Sequence, residues 1–121
     1  MKFAAAFYAS ARSATNLAQL AEQSGWDGIF LGDAIWCQDP MICLSAAAMV
    51  TNRIRLGTMV VPVPLRRPWK LASESVALDH LSNGRLTLGL GAGYLATHEI
   101  DATHPEVRWT PSTENEFNRR V

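Results

Sequence analysis

RIRLGTMVVPVPLRRPWKLASESVALDHLSNGRLTLGLGAGY, residues 53–94, holds the pattern that decides the fold. Ile54 to Val61 is apolar or β-branched at most positions and reads as a strand, stopped by Pro62 and Pro64. Pro68 stands where a first helical turn tolerates proline, and Leu71, Leu78 and Leu81 share one side of a helix running to about Leu81. Asn83-Gly84 turns the chain, and Leu86 to Leu90 reads as the next strand. A strand, a helix and a strand with short connections form a right-handed crossover between parallel neighbours.

The same alternation runs back to the N-terminus. Lys2 to Phe7 is a short apolar strand. Ser13 or Thr15 caps a helix carrying Leu17, Leu20, Ala21 and Ser24, and Gly25 ends it. Gly28 to Leu31 reads as a buried strand. Asp39 is the N-cap and Pro40 the first residue of a helix whose apolar face is Met41, Leu44, Ala48 and Met49. The order β-α-β-α-β-α-β predicts an α/β architecture on a parallel sheet. Beyond it, LATHEIDATHPEVRWTPS (residues 95–112) reads as a loop. Thr113 to Glu116 then has the form of a capping box, so a fourth crossover helix is expected to start just before the chain ends at Val121.

The totals limit the function classes. With 121 residues, 48% of them hydrophobic and 18% charged, the chain suits one packed domain. Formal net charge is zero, so no basic excess is available to neutralise nucleic-acid phosphates. No apolar run approaches the ~18 residues of a membrane span. The run from Phe3 to Ala9 is short for a signal peptide, and its removal would cost the first strand. Cys37 and Cys43 fit neither a tight redox motif nor a zinc motif, so a reducing, cytoplasmic setting is expected. No Ser-His-Asp set, metal cluster or carboxylate pair stands out.

Gly89-Leu90-Gly91-Ala92-Gly93 is not the dinucleotide fingerprint. The third glycine of that motif falls at Tyr94, and the stretch follows the fourth strand instead of the first. Lacking a Gly-Lys-Ser/Thr, it is not a P-loop either. Two readings stay open. The glycines allow close packing at a strand end, or they leave room for a planar ring at the strand's carboxyl end, where α/β ligand sites lie.

GWDGIFLGD (residues 25–33), residues 51–94 and EIDATHPEV (residues 99–107) together resemble the luciferase-like monooxygenase family. The resemblance implies a (β/α)8 barrel of about 250 residues or more. Residues 1–121 would be a single partial barrel domain with strands one to four and three complete helices, breaking off in the fourth. It also implies a flavin- or deazaflavin-dependent oxidoreductase or monooxygenase. FMN or an 8-hydroxy-5-deazaflavin coenzyme would lie across the strand ends, beside a small organic substrate. The family's cofactor site maps onto Asp33, Met59, Val60, Gly91, Ala92, Gly93 and Tyr94. Met59-Val60 matches a bulge where many members have a non-prolyl cis peptide. By the same resemblance Arg66 is a salt-bridge partner more than a phosphate ligand, and His80 is structural.

Several positions depart from the family. Many members carry His after the Gly-Asp of strand two, where this chain has Ala34, and Arg67 replaces a usual His. His98 and His104 read as solvated loop residues. The family's phosphate-binding elements belong mainly to the second half of the barrel. Two functions follow: the N-terminal half of such an enzyme, or a non-catalytic fragment or assembly module with weak or no flavin binding. Four parallel strands alone leave sheet edges open, so self-association or a complementary C-terminal half is expected.

Overall fold

The computed structural model describes residues 2–34 and 37–92. Strands β1 (Ala4–Phe7), β2 (Gly28–Leu31), β3 (Arg55–Thr58) and β5 (Leu86–Thr87) form one sheet in that order, and β4 (Val61–Pro62) pairs with β6 (Leu90–Gly91). Every pairing is parallel, with Ala4 opposite Gly28, Gly28 opposite Arg55, and Leu56 opposite Leu86. Helices α1 (Ala11–Gln23), α2 (Pro40–Ala48) and α3 (Pro68–Leu81) make the crossovers. The expected α/β alternation is present. The capping box at Thr113, with His98 and His104, lies outside the described residues.

Local chemistry sets the element ends. The α1 cap is Ser10, whose Oγ accepts the Ser13 N–H at 3.2 Å, and not Ser13 or Thr15. β1 stops at Phe7, so the helix starts as soon as a hydroxyl is available, one turn earlier than expected. Gly25 follows the C-cap Ser24 at φ 81°, as a helix-ending glycine does. Asp39 caps α2 as expected, its Oδ1 accepting from Met41 N at 2.8 Å and Ile42 N at 3.3 Å.

The core lies between the sheet and the helices. Ile29, Leu31 and Leu56 meet Ala14 and Ala18 of α1, with Met41, Leu44 and Ala47 of α2. The α1 contact line is made of alanines because α1 packs directly on α2, and Leu17 and Leu20 flank it, exposed. Met41, Leu44 and Ala48 are buried as expected, whereas Met49 and Leu81 are exposed. Both sit at helix ends, past the last turn that faces the sheet.

Two polar devices close the end of the sheet opposite the strand exits. Arg85 uses all five guanidinium N–H groups on neutral oxygens: Ser82 O (2.6 Å), Thr51 Oγ1 (2.9 Å), Ile54 O (3.0 Å), Ala48 O (3.1 Å) and Thr51 O (2.9 Å). Two of these carbonyls, Ala48 O and Ser82 O, lie at the C-terminal ends of α2 and α3, where the helix dipole favours a cation. Glu22, on the last turn of α1, accepts backbone N–H bonds from Asn52 (3.0 Å), Arg53 (2.7 Å) and Ile54 (2.8 Å). Burial pushes its carboxyl up, but the N–H groups of Ile54, Arg53 and Asn52, with the Arg53 charge, outweigh this and hold it below its ordinary 4.5.

Arg85→Lys cannot satisfy five divergent acceptors and is expected to cost about 2 kcal/mol or more, lowering the melting midpoint by roughly 8 °C. Glu22→Gln is expected to cost about 1 kcal/mol at pH 7, the exposed setting keeping it small. A carboxyl with a lowered folded pKa stabilises above its unfolded value and loses that contribution as pH falls through the folded one. The gap between Glu22→Gln and the parent chain in thermal melts should therefore narrow as pH falls below the ordinary carboxyl value of 4.5 and close once the folded carboxyl is protonated.

Candidate functional site

The strands that run Ile54–Val61 and Leu86–Leu90 in the sequence are both interrupted. β3 ends at Thr58, β4 resumes at Val61, and the Met59–Val60 peptide between them is cis. On the neighbouring segment β5 ends at Thr87 and β6 resumes at Leu90. The Thr58 hydroxyl fills the gap in the ladder, donating to Gly89 O at 2.9 Å and accepting from Gly89 N at 3.0 Å. Met59 N donates to Leu31 O (2.8 Å) and Val61 N to Gly89 O (2.8 Å). Hydrogen bonds from Thr58, Met59 and Val61 thus span the interruption.

This geometry settles what Gly89 and Gly91 do for the fold. A Cβ on Gly89 would collide with the Thr58 carbonyl oxygen, and one on Gly91 would sit 2.5 Å from Val60 Cγ2. Both glycines are required by the approach of one strand segment to the other. The close approach seats Val60 directly on Gly91. Met59, Val60 and Leu90 leave apolar side chains exposed along these segments, and Tyr8 is exposed just past β1. Such apolar surface fits a planar, largely apolar ring.

Of the expected site residues, Met59, Val60, Gly91 and Ala92 come together at this junction, while Gly93 and Tyr94 lie outside the described residues. Asp33, two residues past β2, is tied to Arg66, whose Nε and Nη2 both donate to Asp33 Oδ2, at 3.1 and 2.7 Å. Arg66 Nη2 also donates to Asp39 Oδ2 at 2.8 Å, and Nη1 lies 3.6 Å from Glu74. Burial pushes the Arg66 guanidinium down, but the hydrogen bonds and charges of Asp33 and Asp39 outweigh it and hold it above its ordinary value. It therefore stays cationic at every working pH. The salt-bridge role expected for Arg66 is what the structure has.

Two contributors were not legible beforehand. Tyr8 lies on Gly32 so closely that a Cβ there would enter its ring. Its position immediately after the first strand was the signal, since barrel sites collect at strand exits. Thr58 was hidden inside a strand-like run. Cys43 is buried, with its thiol 3.7 Å from Ala9 O, and burial followed by the Asp39 charge pushes that thiol up, away from nucleophilic chemistry. Cys37 and Cys43 are both free. Among the described residues no helix is long and apolar enough to cross a membrane.

The comparisons with known proteins agree with this architecture. The model of the luciferase-like monooxygenase family matches residues 3–109. A 4-hydroxyprotoasukamycin monooxygenase of Streptomyces nodosus subsp. asukaensis is 44% identical over 82 residues, 64% of this chain and 22% of that protein. The coenzyme F420-dependent tetrahydromethanopterin reductase of Methanopyrus kandleri superposes with a TM-score of 0.76 at 26% identity, covering 84% of this chain and 29% of the other. A type II Baeyer-Villiger monooxygenase, the oxygenating constituent of 3,6-diketocamphane monooxygenase of Pseudomonas putida in complex with FMN, also gives 0.76, at 25% identity over 86% of this chain and 32% of that one. The chain spans about a quarter to a third of these proteins. The three β-α crossovers and their parallel sheet are part of a TIM-type barrel. The chain belongs to the luciferase-like monooxygenase family.

Proposed function

We propose that this chain is the N-terminal half of a luciferase-like barrel that holds a flavin-type ring, FMN or a deazaflavin coenzyme, in an oxidoreductase or monooxygenase acting on a small organic molecule. The observation that carries this is the junction at the strand exits, where Val60 rests on Gly91 and neutral apolar surface is left exposed. When bound, the ring supplies the redox chemistry, either hydride transfer or, for a flavin, oxygen activation. The chain's own residues do the positioning. Met59, Val60, Gly91 and Ala92 form the floor, with Gly93 and Tyr94 as its continuation, and Asp33 anchors the neighbouring strand exit. Residues 1–121 act as one partial barrel domain in a reducing, cytoplasmic setting. Its remaining strands come from a second half, in the same polypeptide or another, or from a second copy.

Ala34 favours a second reading. It stands where the family resemblance places a histidine near the ring, and its methyl group can neither donate nor accept a proton. A chain without that group serves as a non-catalytic module that keeps the fold and binds flavin weakly or not at all.

Titration of the purified chain with FMN and with a deazaflavin coenzyme, followed by fluorescence alongside mass in solution, separates the two. Saturable binding supports the cofactor reading, and its absence up to millimolar in a folded chain favours the second. If the floor is where the ring lies, Gly91→Ala weakens FMN binding at least tenfold, because its Cβ displaces Val60. Adding Val60→Ala removes the colliding methyl groups and is expected to recover part of that loss.

A further inference from the structure

The segment Met59–Arg66 leaves β3, crosses the junction and returns, through β4 and a 3-10 turn at Val63–Leu65, to Arg66. Both of its ends are fastened to the exit of one strand. At the near end Met59 N donates to Leu31 O, the last residue of β2. At the far end Arg66 grips Asp33, two residues beyond that strand, through two N–H bonds to one carboxylate oxygen. Both partners are largely shielded, with side chains 18% and 15% exposed. Such a charge-assisted pair is stronger and more directional than a surface ion pair. Between the two fastenings lies Val60, the residue seated on Gly91.

We propose that the Asp33–Arg66 pair is a positioning device that fixes the height of Val60 over Gly91, with Arg66 as the positioning residue. Resting on the cofactor reading above, the device sets the plane on which the ring lies. Asp33 then acts through Arg66, its Oδ2 being committed to the guanidinium. The Asp39 arm extends the same tie to the start of α2, whose cap is the other oxygen of that carboxylate. Removing Arg66 frees the far end of the segment, removing Asp33 leaves it only the Asp39 and Glu74 contacts, and either change leaves the near end bonded.

Amide hydrogen exchange on the full chain tests the device without any cofactor. In Asp33→Asn and Arg66→Gln the Val61 and Arg66 amides, bonded to Gly89 O and Val63 O, should exchange at least tenfold faster. The Leu56 amide, bonded to Arg85 O in β3, should keep its rate. Arg66→Lys, which retains a charge but not the paired donors, should fall between. Arg85→Lys loosens the opposite end and should not accelerate Val61 relative to Leu56. Unchanged Val61 exchange in Asp33→Asn overturns the inference, and so does equal acceleration at Val61 and Leu56, which reports only general destabilisation. FMN titration of the same variants should show at least tenfold weaker binding in Asp33→Asn. If the exchange pattern holds while the parent chain binds neither FMN nor the deazaflavin coenzyme, the tie stands and the cofactor reading falls.

Discussion

The strand exits depend on one hydroxyl. Thr58 Oγ1 both donates to and accepts from Gly89, doing with a side chain what a backbone amide and carbonyl do elsewhere in the ladder. Without it, the bend at Met59–Val60 would leave the Gly89 amide without its partner in a half-buried position, a cost of about 1–3 kcal/mol. With it, two strands can stop, step sideways and resume as β4 and β6 in parallel register. The geometry of the candidate site follows from that step. Val60 meets Gly91 because both segments are displaced together.

Charge is distributed according to the task at each end of the sheet. At the end away from the site Arg85 meets only neutral oxygens. At the site end Arg66 collects Asp33, Asp39 and Glu74. Lys70 reaches Glu74 as well, so the cluster sets three carboxylates against two cations and keeps one negative charge.

The fold was largely legible because its signals are local. Pro40 after Asp39, Gly25 after α1 and the two-residue turn at Asn83-Gly84 each fix an element boundary by chemistry within a few residues. The apolar run Gly28–Leu31 has few readings other than a buried strand. What stayed hidden depends on distant partners. Nothing in Ile54–Val61 distinguishes a continuous strand from an interrupted one, since the deciding bond joins Thr58 to a residue 31 positions away. The Ser10 cap was missed because three hydroxyl residues compete there, and the end of β1 decides among them. At the site, family resemblance supplied Met59, Val60 and Gly91. The Cβ geometry supplied what resemblance could not, namely that Gly89 is demanded by the Thr58 backbone and Gly91 by the Val60 side chain.

The register also bears on how the chain is made. In the four-stranded sheet the strands pair in chain order, at offsets of 24 residues (Ala4 with Gly28), 27 (Gly28 with Arg55) and 30 (Leu56 with Leu86). Loop closure grows only with the logarithm of length, so the three steps differ by about 0.2 kcal/mol in entropy. The sheet can therefore be laid down in the order in which it leaves the ribosome, each new strand docking on a finished edge.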